Sequence, residues 1–327
     1  MKRREFLQAG IAGIGAAHLG CGGQTPLPAG PSGRSAVAIL KAASYSADLL
    51  DLMRRGAALC GLEVKGKRVL LKPNLVEFAS TTAINTHVAV IAAAIELFRG
   101  LGAAEVLIGE GPGHRRDTIG MAEDADYRGG IAKFDSLFTD LNRDDVSAHR
   151  GFADLPEIYL PNTALRADLI VSLAKMKTHH WAGATLSMKN FFGLVPGSVY
   201  GWPKNQLHQV GIDRSIAELQ RVFPRSFAIV DGIVGMEGNG PIQGVPKQSG
   251  VLVMGGDLVA VDSTCCRIMG IDPERLECLR LTAGRGHLRA EQIDQRAESI
   301  GAVRTDFALI ESLKVLRLLR QTQVLGV

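Results

Sequence analysis

The strongest constraint in this chain is a rhythm. Short, branched apolar runs end abruptly in glycine, proline or charge, and helical patterns of ten or more residues separate them. The runs are SAVAIL (35–40), KRVLLK (67–72), AEVLIG (104–109), DLIVSLA (168–174), SFAIVD (226–231) and GVLVMG (250–255). Their hydrophobicity is continuous rather than alternating, which is how a strand reads when both of its faces are covered. The alternation predicts an α/β fold: a mostly parallel sheet with helices on both faces and a ligand cleft at the carboxyl ends of the strands.

Helical patterns occupy 47–61, 87–102, 213–223 and 258–270. Thr86 and Asp257 are the expected N-caps of the second and last, and Gly102 and Gly270 the expected C-terminal stops. Residues 271–300 also read as helical and charged, a surface cover. The domain is expected to span 36–300, with 301–327 as a C-terminal helical extension.

Ligands of open parallel sheets sit beyond the carboxyl ends of the strands. Here those ends are polar: Lys72-Pro73-Asn74, then Glu110 to His114, then Lys175 to His180, then Asp231 with Glu237, then Gly255-Gly256-Asp257. Five ends are expected to converge on one rim. In KMKTHHWAGATLSMKNFFG, Lys175, Lys177, His179, His180, Lys189 and Asn190 fall within 16 positions, interleaved with Trp181, Met188, Phe191 and Phe192. Such apolar neighbours form a semi-buried wall that strips water from the lysines, lowers their pKa and strengthens their pull on an anion. Lys204 and His208 end a Gly/Pro-rich loop, GLVPGSVYGWPKNQLH, long enough to close as a lid. The segment VDGIVGMEGNGPIQGVP (230–246) leaves backbone amides free to approach a ligand or line an anion nest.

Two readings of this constellation stand. In the first, the cleft is catalytic and acts on a small carboxylate or phosphate. Lys177, His179 and Lys189 are its working residues, with His179 transferring the proton because imidazole titrates near neutrality. Lys72, Asn74, Lys175, Asn190, Lys204 and His208 hold or orient the substrate, and Asp231 and Glu237 bind a divalent metal or orient the lysines. In the second, the same groups capture an anion or metal without changing it. A plainer alternative makes each polar end a helix cap or a solvated side chain.

Several classes are disfavoured. There is no GxxxxGK[ST], no GxGxxG after the first strand and no GxSxG elbow. Cys60, Cys265, Cys266 and Cys278 form no CxxC pair, so no iron-sulfur cluster is expected, and Cys265 and Cys266 read as small buried hydrophobes. The net charge is +4, falling to +2 once residues 1–21 are set aside, which leaves no nucleic-acid footprint.

Residues 1–21 read as an export signal. Arg3-Arg4 precede Glu5, Phe6 and Leu7, and a short Gly/Ala-rich apolar run from Ala9 to Leu19 is too short to span a bilayer. The pair resembles the twin-arginine consensus, with Lys2 where Ser or Thr is usual. Cys21 after Leu19-Gly20 resembles a lipoprotein processing site, so the mature protein is either lipid-anchored at Cys21 or soluble, on a Gly/Pro/Ser-rich tether at 22–35. The expected location is the periplasm or an outer surface. The expected partners are the twin-arginine translocation machinery and a small anion.

The motifs LLKPN (70–74), KTH and TLSMKNFFG (177–193), IVDGIVGMEGNGP (229–241) and GGDLVAVD (255–262) together resemble the domain of unknown function 362 family (DUF 362). The resemblance runs from about residue 36 to 290. It implies no settled activity. Some members carry a ferredoxin-type module with four-cysteine motifs, which this sequence lacks. The arrangement is also distantly similar to the nickel-dependent lactate racemase family, another α/β protein with Lys and His lining a cleft. Twin-arginine clients often load a cofactor before export, which by resemblance tilts the reading toward a cofactor.

Overall fold

A computed structural model describes residues 31–114 and 117–318. The segment expected to be an export signal (1–21), with Cys21, and residues 319–327 therefore lie outside the described residues. The described residues form eleven strands: β1 (Ser35–Lys41), β2 (Arg68–Pro73), β3 (Glu105–Glu110), β4 (Phe138–Asp140), β5 (Val146–Phe152), β6 (Leu155–Pro161), β7 (Leu169–His179), β8 (Gly183–Thr185), β9 (Ser226–Glu237), β10 (Val245–Gly255) and β11 (Ile293–Ala297). Nine of them make one sheet in the order β11-β1-β10-β9-β7-β2-β3-β4, with β8 attached to β7, and β5-β6 form a separate hairpin. The contacts β9-β7-β2-β3-β4 and β1-β11 are parallel, and β10 runs against both of its neighbours. The fold is α/β with a mostly parallel sheet, as the alternation of runs predicts.

Covering both faces explains the continuous hydrophobicity. Along each central strand, successive side chains enter opposite cores. Val37, Leu70, Ile170, Val230 and Val253 pack on one face with helices Ile212–Val222 and Leu258–Ile268. Ala38, Leu71, Val171, Ile229 and Leu252 pack on the other, with helices Leu49–Leu59 and Val88–Gly100.

Four sequence expectations are corrected. First, β7 and β9 run past their apolar runs to His179 and Glu237. The change to polar side chains is not a strand end, because the ladder partners β8 and β9 continue beside β7 and its polar side chains find buried partners. Second, four ends share the rim rather than five. Since β10 is reversed, Asp257 lies at the opposite edge, where it caps Leu258–Ile268 and accepts from the Ser35 hydroxyl and the His287 backbone. Third, residues 271–300 are not a helical cover. They hold a helix at Glu277–Thr282 and the edge strand β11, whose charged pattern reflects an exposed edge rather than a helix face. Likewise 301–318 is not a helical extension. One turn at Ile300–Val303 and a 3-10 segment at Glu311–Leu316 flank an irregular stretch pinned by the fully buried Phe307. Fourth, the cap of Val88–Gly100 is His87, whose Nδ1 accepts from Ala89, and Thr86 instead donates to the Leu173 carbonyl.

Cys265 and Cys266 are free and buried, matching the small-hydrophobe reading, and Cys278 is free and buried as well. Among the described residues, no helix is long and apolar enough to cross a membrane.

Candidate functional site

The carboxyl ends of β2, β3 and β7 open on a cavity of about 450 Å³. Of the residues expected from sequence, Lys72, Asn74, Lys177 and His179 line it from the strands. Lys189, Asn190, Lys204 and His208 line it from the segment that follows β8. Lys175, Asp231 and Glu237 do not.

The floor is a buried polar network. Lys72 Nζ donates to the Pro73 carbonyl at 2.7 Å, to Asn190 Oδ1 at 3.1 Å and to a Glu110 carboxylate oxygen. Glu110 also accepts from the backbone of Leu75 (3.0 Å) and Gly111 (2.9 Å). Lys72 and Glu110 are each 1 % exposed. Gly193 lies directly against the pair: a Cβ there would meet Glu110 Oε1 at 2.0 Å and Lys72 Nζ at 2.4 Å. Asn190 Nδ2 donates to the Lys72 carbonyl (2.9 Å) and Ser172 Oγ (3.1 Å), and Asn74 Nδ2 donates to Asn190 Oδ1 (3.2 Å). All three donors of Lys72 are therefore filled, so Lys72 holds the floor together.

Lys204 is similarly committed, donating to the carbonyls of Gly111 (2.5 Å) and Phe192 (2.8 Å). That anchor, with buried Leu194, Val195 and Leu207, fixes the segment expected to be a lid as three short helical turns against the domain. Lys177 Nζ donates to the Ile84 carbonyl at 2.8 Å. Lys189 differs: it is half-buried, its Nζ sits 3.7 Å from the centroid of the Phe192 ring, and it forms no hydrogen bond to an acceptor among the described residues. Burial lowers the pKa of Lys72, Lys177, Lys189 and Lys204. Lys189 falls to about 8 and Lys204 to about 7, and Lys177 falls well below the ordinary lysine value, pushed further by the neighbouring lysines.

His179 ends β7, and the turn that follows uses its ring. Its Nδ1 accepts from the backbone of Trp181 and Ala182, both at 3.1 Å. Nδ1 is thereby an acceptor, so the neutral ring carries its proton on Nε2. Burial first, then Lys189, His180 and Lys177, push this imidazole down to about 2. His179 is thus a neutral donor at physiological pH, and the sequence expectation that it accepts a proton is corrected. The hairpin closes because Gly183, paired with His179, takes a φ of +74°.

Two polar atoms of the cavity wall, Asn74 Oδ1 and Thr185 Oγ1, are buried with no hydrogen-bond partner among the described residues. Thr185 was silent in the sequence. Glu110 was visible as a strand end, but that β3 lies beside β2 and makes it the partner of Lys72 was not. Asp262, from the GGDLVAVD motif, is a further supporting residue. It accepts from Ser187 N (2.8 Å), Ser187 Oγ (2.5 Å) and Met188 N (3.0 Å), holding the start of the turn Ser187–Asn190 that carries Lys189 and Asn190. Burial raises its carboxyl to about 7.

The remaining expected residues sit elsewhere. Lys175 and Asp231 are register partners on β7 and β9 and form an ion pair of 2.9 Å. Asp231 also accepts from the Tyr45 hydroxyl at 3.1 Å and from the His87 backbone at 3.0 Å. Glu237 pairs with Lys247 at 3.1 Å and accepts from the Ala308 backbone at 2.8 Å. The two carboxylates therefore hold the chain and do not meet as metal ligands. Among the described residues, no group of three or more His, Cys, Asp or Glu side chains could hold a metal ion.

Chemically, four lysines and one already paired carboxylate line the cavity among the described residues, so its surplus charge is positive.

One relative is the thylakoid-associated protein of Synechocystis sp., 27% identical over 245 residues that make up 72% of this chain and 75% of that protein. Two solved structures are similar in outline. The lactate racemase apoprotein from Thermoanaerobacterium thermosaccharolyticum has a TM-score of 0.45 and 12% identity over 75% of this chain, and a protein from Thermotoga maritima has 0.39 and 17% over 66%. The chain spans only 61% and 58% of those two chains. Residues 69–267, more than half of the chain, match the family model described as Domain of unknown function (DUF362), and the chain belongs to that family.

Proposed function

We propose that the cleft binds a small organic anion, a carboxylate or phosphate, and that Lys189 exchanges a proton with it. The observation that carries this reading is the state of Lys189: a cavity-lining ammonium with no hydrogen-bond acceptor among the described residues, over an aromatic ring, beside Lys72 and Lys204, which are committed to protein acceptors. An ammonium so placed is poorly solvated and gains strongly from an anionic oxygen. A pKa of about 8 leaves it charged for binding at neutral pH and within reach of the free amine needed to accept a proton. His179 Nε2–H and Lys177 would donate to the same anion, and Asn74 Oδ1 and Thr185 Oγ1 would take the ligand's hydroxyl or amide hydrogens.

The experiment is residue-resolved acylation at pH 7.5. Lys189 should label faster than exposed lysines, and sulfate should slow it. Slow or sulfate-insensitive labelling would overturn anion binding. Solvent deuterium appearing at an acidic C–H of a bound carboxylate, and lost in K189M, would support the proton transfer.

Capture without turnover is the second reading. It is favoured by His179, whose only acceptor nitrogen is already occupied, and by Glu110, which is held by Lys72. Protection of Lys189 without deuterium exchange in any bound carboxylate would select it.

We further propose that this chemistry takes place outside the cytoplasm, on the strength of the twin-arginine layout at Arg3-Arg4, with Cys21 either lipidated or not. The relative named for its thylakoid association fits a membrane-side location. Fractionation of cells expressing the full chain beside an R3K/R4K variant tests it, and unchanged export of the variant would count against the twin-arginine route.

A further inference from the structure

The mouth of the cleft is built from rings, a feature that anion binding does not need. Starting over Lys189, Phe192 lies 6.2 Å from His208, His208 lies 5.9 Å from Trp181, Trp181 lies 4.7 Å from His180, and His180 lies 5.1 Å from His179. The arc begins at the free ammonium, whose Nζ is 3.7 Å from the Phe192 centroid, and ends at the neutral imidazole whose charge state that ammonium helps set. All five rings line the same cavity.

Within the arc, Trp181 is 66% exposed. An indole left in water at the tip of a tight hairpin forgoes a large burial gain. The hairpin is not loose: the Trp181 backbone is tied to His179 Nδ1 at 3.1 Å, and the His180 backbone donates to the Gly240 carbonyl at 2.9 Å. The backbone that carries the ring is therefore fixed, on the wall of the same cavity that Lys189 lines. Its two closest ring partners meet it edge-on, at 76° and 77°, which is not the face-to-face packing that would cover the indole. A cavity of about 450 Å³ also exceeds what an ion the size of sulfate would fill, and lies in the range of pockets that take ring-bearing ligands.

Resting on the anion reading above, we infer that the ligand is an aromatic anion: its charged group meets Lys189 and its ring packs on Trp181 within the arc of His180, His208 and Phe192. Ring pairs of this kind contribute beyond simple burial, so a planar ligand is preferred over a saturated one of equal charge and size.

The test compares benzoate with cyclohexanecarboxylate, each titrated for protection of Lys189 from acylation in the full chain, with sulfate as the ring-free probe. Benzoate should protect at about fivefold lower concentration, and in W181A that ratio should collapse to near one. Equal protection by the two carboxylates, or an unchanged ratio in W181A, would overturn the aromatic assignment while leaving anion binding intact. Failure of sulfate and both carboxylates to protect Lys189 would remove the anion reading and this inference with it. Because Trp181 is exposed, its truncation leaves the core untouched, and an unchanged thermal midpoint of W181A verifies that the ratio reports on binding.

Discussion

Replacing Lys72 by methionine keeps an unbranched apolar stem one atom shorter and deletes the charge, leaving the Glu110 carboxylate in a site where it is 1 % exposed. In the native protein Glu110 has the ammonium and two backbone N–H donors, from Leu75 and Gly111. In K72M only the two amides remain. Stranding one member of a buried pair costs about 3–5 kcal/mol, because the remaining charge keeps its desolvation penalty without the offsetting attraction. The Asn190 and Pro73 oxygens would lose a donor as well, which places K72M at the upper part of that range. The measurement is chemical denaturation with linear extrapolation of native and K72M proteins, beside E110Q and the double variant. The double variant should recover a large part of the K72M loss, since the stranded charge is gone. A loss below about 1 kcal/mol in K72M, or a double variant as unstable as the sum of the singles, would refute the claim that Lys72 is a structural cation and return it to the ligand.

Three further outcomes are expected. Anion affinity should be full below pH 8 and fall as pH rises through about 8, where Lys189 loses the proton that makes it attractive to an anion; calorimetric titration of sulfate across pH 6.5–9.5 would show it, and a flat profile would exclude Lys189. The His179 ring should stay neutral with its proton on Nε2 from pH 5 to 9, read from ring nitrogen shifts by NMR, because its pKa is pushed down to about 2; a titration near 6.5 would contradict the geometry. Gly193→Ala should destabilise by about 1–3 kcal/mol, since the added methyl must displace the paired ends of Glu110 and Lys72, and denaturation measures it.

The sheet was legible because burial on both faces writes itself into sequence as unbroken runs such as VLLK and LIVSLA. What was not legible follows from strand direction and from partners distant in sequence. GVLVMG reads the same whether it runs with β9 or against it, so nothing local told that Asp257 would sit at the far edge. The polar stretch KMKTH looked like a loop because its partners, Asp231, Tyr45 and the carbonyls of Ile84 and Gly238, come from elsewhere in the chain. Composition could gather the lysines and histidines of 175–190 into one site, and eight of the eleven expected cleft residues do line it. It could not show which ammonium was already occupied. That sorting of Lys72, Lys175, Lys177, Lys189 and Lys204 depends on single acceptor atoms.

The anchoring of Lys204 has a kinetic meaning. With its ammonium on the Gly111 and Phe192 carbonyls, and with β7 buried along its whole length, the walls of the cleft are set before any ligand arrives. Little ordering entropy is left to lose on association, and no closing step stands between encounter and the bound state. On the anion-binding reading proposed above, related ligands should then arrive at similar rates and differ in how long they stay, so residence time would be the quantity that separates one from another.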